Sequence, residues 1–146
     1  MTIELKKILV ASDGSKNSRR ALLRAGAIAK ATGADLHVIH VGLLSRYTNP
    51  DQMNSNQYDR LKTEARSRLD NELEFAEENG IKVTKSHLRM GRVDSEVIRL
   101  GEEIGADMIA IGNRGMGALE RILLGSDAES IVRHAPCDVI VFRDDE

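Results

Sequence analysis

The chain has 146 residues, a net charge of −2 and 41% hydrophobic residues, enough for one domain with its own core, and no period of about 20 to 50 residues divides it into repeats. Near-neutral charge, a pI of about 6.1, and 3% aromatic content with no Trp argue against nucleic acid or an anionic membrane as partner. The single Cys137 excludes an internal disulfide, the N-terminal MTIELKK carries charges where a signal peptide needs an apolar run, and no run approaches the ~20 apolar residues of a membrane span, so a soluble cytoplasmic protein is expected.

Ile8-Leu9-Val10-Ala11, closed by Ser12-Asp13-Gly14-Ser15, reads as a central strand ending in a turn. From Ser15, Leu22, Ala25, Ile28, Ala29 and Thr32 recur at helical spacing and stop at Gly33, which predicts an amphipathic cover helix. Leu36 to Val41 reads as the next strand, with a long polar loop over 42–56 after it. The pair His37 and His40 is not read as a metal site, because residues three apart on a strand face opposite sides. One is expected to be packed and the other near the sheet edge or solvent.

Tyr58, Leu61, Ala65, Leu69, Leu73 and Ala76 step by three or four towards Asn79-Gly80, a long helix with a glycine stop. Its mixed charges, Arg66, Arg68, Asp70, Glu72 and Glu74 among them, are expected on a solvated face. Lys82 to Leu88 alternates polar and apolar residues as an edge strand would, and Met90-Gly91-Arg92 is read as a turn. Val97, Leu100, Gly101 and Ile104 predict a short helix closed by Gly105.

Asp107 to Val132 is the most informative stretch. Met108-Ile109-Ala110-Ile111 is a buried-strand run, and Gly112, Gly115, Gly117 and Gly125 follow it before Ser126-Asp127-Ala128-Glu129. That tetrapeptide has the spacing of a capping box, so a helix is expected to begin at Ser126, with Ala128, Ile131, Val132 and Ala135 buried and Pro136 as the stop. Asp138 to Arg143 is the final strand. A glycine-lined loop that delivers amides to a helix N-terminus suits phosphate. The P-loop lysine is absent, since Ala118 follows Gly117, and the dinucleotide pattern fails because Glu120 stands where its third glycine belongs.

The spacing Gly112-x2-Gly115-x9-Gly125-Ser126 resembles the nucleotide-binding signature of the ATP-binding branch of the universal stress protein family. Lys7 to Ser15 resembles the family's first strand and turn, and Ala135 to Val141 its last strand, so the resemblance covers the whole chain. Strands near 8, 36, 84, 108 and 140 alternate with helices, which predicts one doubly wound α/β domain with a parallel sheet and helices on both faces. The resemblance implies the flavodoxin-like, adenine nucleotide alpha hydrolase-like strand order 3-2-1-4-5. Its switch point, between the first and fourth strands, is where ligands bind.

The resemblance implies an adenine nucleotide there, ATP first, with AMP or a cyclic nucleotide as alternatives. Adenine and ribose would lie against Ala11, Ser12, Asp13 and Val41, with the Asp13 carboxylate accepting from ribose hydroxyls or holding Mg2+. The phosphates would lie over Gly112, Arg114 and Gly115 and on the amides of Ser126, Asp127 and Ala128, the Ser126 hydroxyl either capping the helix or donating to phosphate. Gly112, Gly125, Ser126 and Asp13 are each also favoured at such places for local reasons alone. Asp127 and Glu129 count against polyphosphate, since two carboxylates in a first turn repel an anion.

The function implied is a stress-response or signalling module acting through its dimer on protein partners that the sequence does not name. The dimer is expected through Val139, Ile140, Val141 and Phe142 of the last strand, unless Asp138, Arg143 and the acidic tail protect that edge. The alternatives are a slow ATPase or autophosphorylating enzyme and a nucleotide-free scaffold. An ATP-cleaving pyrophosphatase-type loop is absent, and a receiver domain would need an Asp where Leu88-Arg89-Met90 stands.

Overall fold

In a computed structural model the described residues are 4–44, 54–114 and 124–143. The elements run β1 (Lys7–Ala11), α1 (Lys16–Thr32), β2 (Asp35–Leu43), α2 (Ser55–Glu78), β3 (Lys85–Gly91), α3 (Val93–Ile104), β4 (Met108–Gly112), α4 (Ser126–His134) and β5 (Asp138–Phe142). All five strands are parallel and lie in the order β3-β2-β1-β4-β5. Ile8, Val10, Leu36 and Val38 pack under α1 and α2, while Leu9, Ile39, Ile109 and Ile111 pack with residues of α3 and α4. The alternation along each strand thus feeds two cores, and the short apolar runs of β1 and β4 are buried on both faces. No helix among the described residues is long and apolar enough to cross a membrane.

Local signals set the helix ends. Ser15 caps α1 by accepting from the Ser18 amide at 3.1 Å, and Gly33 closes it in the left-handed region at φ 76°. The start of α2 is a capping box in the stretch read as loop: the Asn54 side chain accepts from the Gln57 amide at 2.9 Å, and Gln57 returns the bond at 3.3 Å.

Several expectations are corrected. Met90 and Gly91 do not turn the chain but continue β3, because β3 stays in register with β2 as far as Leu43. Both His37 and His40 are buried, at 8% and 3% exposure, on opposite faces of the sheet: His37 lies near the sheet edge, against His87 of the edge strand β3, but not at the solvent. Glu72 is not on the solvated face of α2: it is 2% exposed and paired with Arg19. Val132 is 47% exposed, since α4 buries only Ala128 and Ile131 fully, and Thr32 lies exposed at the end of α1.

Candidate functional site

The strand order leaves a crevice where the chain leaves β1 towards one face of the sheet and β4 towards the other. A cleft of about 510 Å3 occupies it. Ile39, Val41, Val93, Ile111, Leu124 and Ile131 give it apolar walls, and Ser12, Asp13, Arg114, Ser126, Asp127 and Glu129 bring polar groups. This is the composition expected of a small-molecule site.

On the β1 side, the turn after Ala11 is built by side chains. The Asp13 amide donates to Ser18 Oγ at 3.1 Å, and the Ser15 amide donates to Asp13 Oδ1 at 2.8 Å, an Asx turn that orients the carboxylate. Gly14 completes the turn at φ 84°, a conformation L side chains rarely adopt. Behind it the Ser12 hydroxyl donates to Glu72 Oε1 at 2.7 Å, and His40 Nδ1 donates to the Ser12 carbonyl at 2.8 Å.

On the β4 side, Gly112 passes so close to α1 that a Cβ there would lie 2.9 Å from the backbone C and O of Asn17. The Gly125 amide donates to the Asn113 carbonyl at 2.7 Å, which brings the start of α4 back to the end of β4. The first bond of α4 runs from the Glu129 amide to the Gly125 carbonyl at 2.8 Å, so the amides of Ser126, Asp127 and Ala128 have no acceptor within the helix. The expected capping box is therefore not formed, although the helix begins at Ser126 as expected. Gly125 is the cap, extended at φ −67° and ψ 161°, and Ser126 is the first helical residue and makes no side-chain capping bond.

Of the residues expected to bind a nucleotide, Ala11, Ser12, Asp13, Val41, Gly112, Arg114, Gly125, Ser126, Asp127 and Ala128 all line this one cleft. Gly115 and Gly117 lie outside the described residues. Residues 4–143 match the model of the universal stress protein family. The chain belongs to that family. A putative universal stress protein of Staphylococcus aureus (strain USA300) is 37% identical over 145 residues, which span 99% of this chain and 87% of the relative. The universal stress protein UspA from Lactobacillus plantarum superposes with a TM-score of 0.81 at 26% identity, covering 97% of this chain and 100% of that one. A universal stress protein crystallised in complex with cAMP superposes with a TM-score of 0.72 at 26% identity, covering 96% of this chain and 98% of that one.

The carboxylates of this universal stress protein differ in environment. Partial desolvation and then the neighbouring Asp94 hold the Asp127 carboxyl above the usual carboxylate range, although its side chain reaches solvent. Asp94 goes the other way: burial opposes its charge, but the Ser130 hydroxyl at 2.8 Å, the Ser95 amide and Arg92 outweigh burial and keep it below that range. Glu129 is drawn along the helix to Arg133 at 2.9 Å. Among the described residues no group of three or more His, Cys, Asp or Glu side chains could hold a metal ion.

Ser18 lines the cleft, and Glu72 and His40 hold Ser12 from behind it, placements the sequence reading did not foresee. Glu72 carried a signal: it falls between Leu69 and Ala76 on the buried stripe of α2, where a charge needs a partner.

Proposed function

We propose that this universal stress protein binds an adenine nucleotide in the cleft between β1 and β4, ATP first, and acts as a stress-response module whose occupancy partners read through a homodimer. One observation carries the reading: the amides of Ser126, Asp127 and Ala128, which have no acceptor within the helix, open the α4 N-terminus onto a cleft whose opposite rim is the Asp13 turn and whose walls are apolar. Phosphate suits the amides, ribose hydroxyls suit the Asp13 carboxylate, and an adenine ring suits the slot by Ile39 and Val41. The relative in complex with cAMP supports an adenine ligand of this class. Mg2+ would enter with the phosphates, Asp13 adding one carboxylate to the shell they supply.

The nucleotide is held rather than turned over. Fast phosphoryl transfer needs an oriented nucleophile and cations on the γ-phosphate, and among the described residues lining the cleft there is no lysine and no histidine. A second reading, AMP or a cyclic nucleotide, is favoured by Asp127, whose charge opposes a polyphosphate at the same helix end.

The test is heat release of whatever co-purifies with the protein, identified by mass and ultraviolet absorbance, followed by calorimetric titration of the stripped protein with ATP, AMP and cAMP. One adenine nucleotide per chain is expected, with phosphate release from ATP and Mg2+ far below the ~1 to 100 per second of kinases. A stripped, folded protein that takes up none of the three overturns the reading.

A further inference from the structure

Glu72 is a carboxylate almost wholly removed from solvent, and its partners all come from the segment that carries Asp13. The Ser12 hydroxyl donates to Oε1 at 2.7 Å, and Arg19 of α1 grips both oxygens, Nη2 to Oε2 at 2.8 Å and Nε to each at 3.3 Å. The guanidinium in turn lies 4.6 Å from the centre of the Phe75 ring, so α2 holds it from two sides. Gly14 folds down over the same carboxylate, its absent Cβ 3.6 Å from Glu72 Oε2. Ser12 is thus held by its hydroxyl to α2 and by its carbonyl to His40, while Glu72 itself does not line the cleft.

We propose that Glu72 is a positioning residue for the ligand site: through Ser12 it fixes the turn that aims the Asp13 carboxylate into the cleft. The proposal rests on the nucleotide reading above, with Asp13 as the ribose-facing group. A turn of three residues ending a strand has few contacts of its own, and a buried charged acceptor anchors it more strongly than a neutral one does. Pre-organisation of this kind raises affinity without any contact to ligand.

The experiment is calorimetric titration of wild type, Glu72→Gln, Ser12→Ala, Asp13→Asn and the Glu72→Gln/Asp13→Asn double variant with AMP and with 2′,3′-dideoxy-AMP. Glutamine keeps the shape of Glu72 and gives up its charge. Alanine at position 12 removes one hydroxyl and leaves the Arg19 pair, so it carries the test if Glu72→Gln does not fold. About a tenfold loss of AMP affinity is expected in each single variant, with the double variant no weaker than Asp13→Asn, since groups acting as a unit are not additive. Little loss is expected for the dideoxy ligand. Additive losses, or the same loss for both ligands, would mean that Glu72 only supports the fold and would overturn the proposal. Wild-type affinity in both Glu72→Gln and Ser12→Ala would overturn it while leaving the nucleotide reading intact. Failure of wild type to bind either ligand would overturn both.

Discussion

Nδ1 of His37 lies 2.9 Å from Nε2 of His87 across β2 and β3, with the two rings within 13° of parallel. One nitrogen must donate and the other accept, so the bond exists only while at least one ring is neutral. Burial lowers both pKa values. Lys7 and Lys85 act with burial on His37, opposed by Asp35; His37, Lys85 and Arg89 act with it on His87, opposed by Glu103. Because both values fall below the ordinary 6.5, the folded chain binds fewer protons than the unfolded chain once the pH drops under 6.5. The stabilisation is therefore full above pH 6.5 and is lost as the pH falls from there towards the folded-state values. Urea midpoints should be lower at pH 5.5 than at pH 7.5, with a slope of at most about 1.4 kcal/mol per pH unit for each ring. His87→Gln should flatten that profile; an unchanged slope would place the acid sensitivity elsewhere.

Gly112 answers to packing rather than to conformational freedom. The Cβ of Gly112→Ala would meet backbone atoms of Asn17 at 2.9 Å, and backbone, unlike the end of a side chain, cannot swing aside. Either β4 or the first turn of α1 has to shift. A loss of about 1 to 3 kcal/mol in urea denaturation is expected, as for overpacked cores, together with weaker nucleotide binding because both rims of the cleft move. A loss below ~0.5 kcal/mol would mean that α1 yields freely and that the close approach constrains nothing.

How far the residue pattern reaches follows from the same contacts. Parallel βα alternation was legible because buried strands such as Ile8-Leu9-Val10 and Ile109-Ala110-Ile111 have no polar face, and the strand order came through the family resemblance. That Asp13, Gly112 and Gly125 end or begin elements around one cleft was legible because turn chemistry is local. The role of Glu72 was not, because charges along α2 look alike until their phase against Leu69 and Ala76 is compared and a partner is found in α1. His87 was hidden for a related reason: its partner is 50 residues away, and only the register between β2 and β3 brings the rings together. The extent of β3 likewise depends on the length of β2 and not on its own alternation.

Asp127 should select against ligand charge. It lines the cleft in the first turn of α4, and its raised pKa reflects partial desolvation and then the repulsion of Asp94. Asp127→Asn keeps the shape of the side chain and takes a carboxylate away from the phosphate end of the site. Affinity for ATP should rise several-fold at low salt and affinity for adenosine hardly at all, since a helix-terminal charge contributes typically ~0.3 to 1 kcal/mol. Raising the salt concentration should shrink the difference. Equal gains for both ligands would mean that the carboxylate does not face the phosphates.

The open edge of β5 tests the dimer. The Asn113 amide donates to the Phe142 carbonyl at 3.0 Å, and Phe142 stands opposite Gly112 in the register, so the backbone groups of Phe142 face β4. Strand residues alternate, which turns the N–H and C=O of Val139 and Val141 towards the free edge. Val141→Pro therefore removes an outward donor and leaves the ladder to β4 in place, so the variant should fold at a cost nearer ~1 kcal/mol than the ~3 kcal/mol of an interior proline. If two copies pair antiparallel through this edge, a two-fold arrangement uses each outward group twice, and losing one donor removes two symmetry-related bonds at once. Light scattering on the eluting peak should give a dimer for wild type and a monomer for Val141→Pro, with matching circular dichroism. A Val141→Pro dimer of unchanged strength would place the interface on another surface.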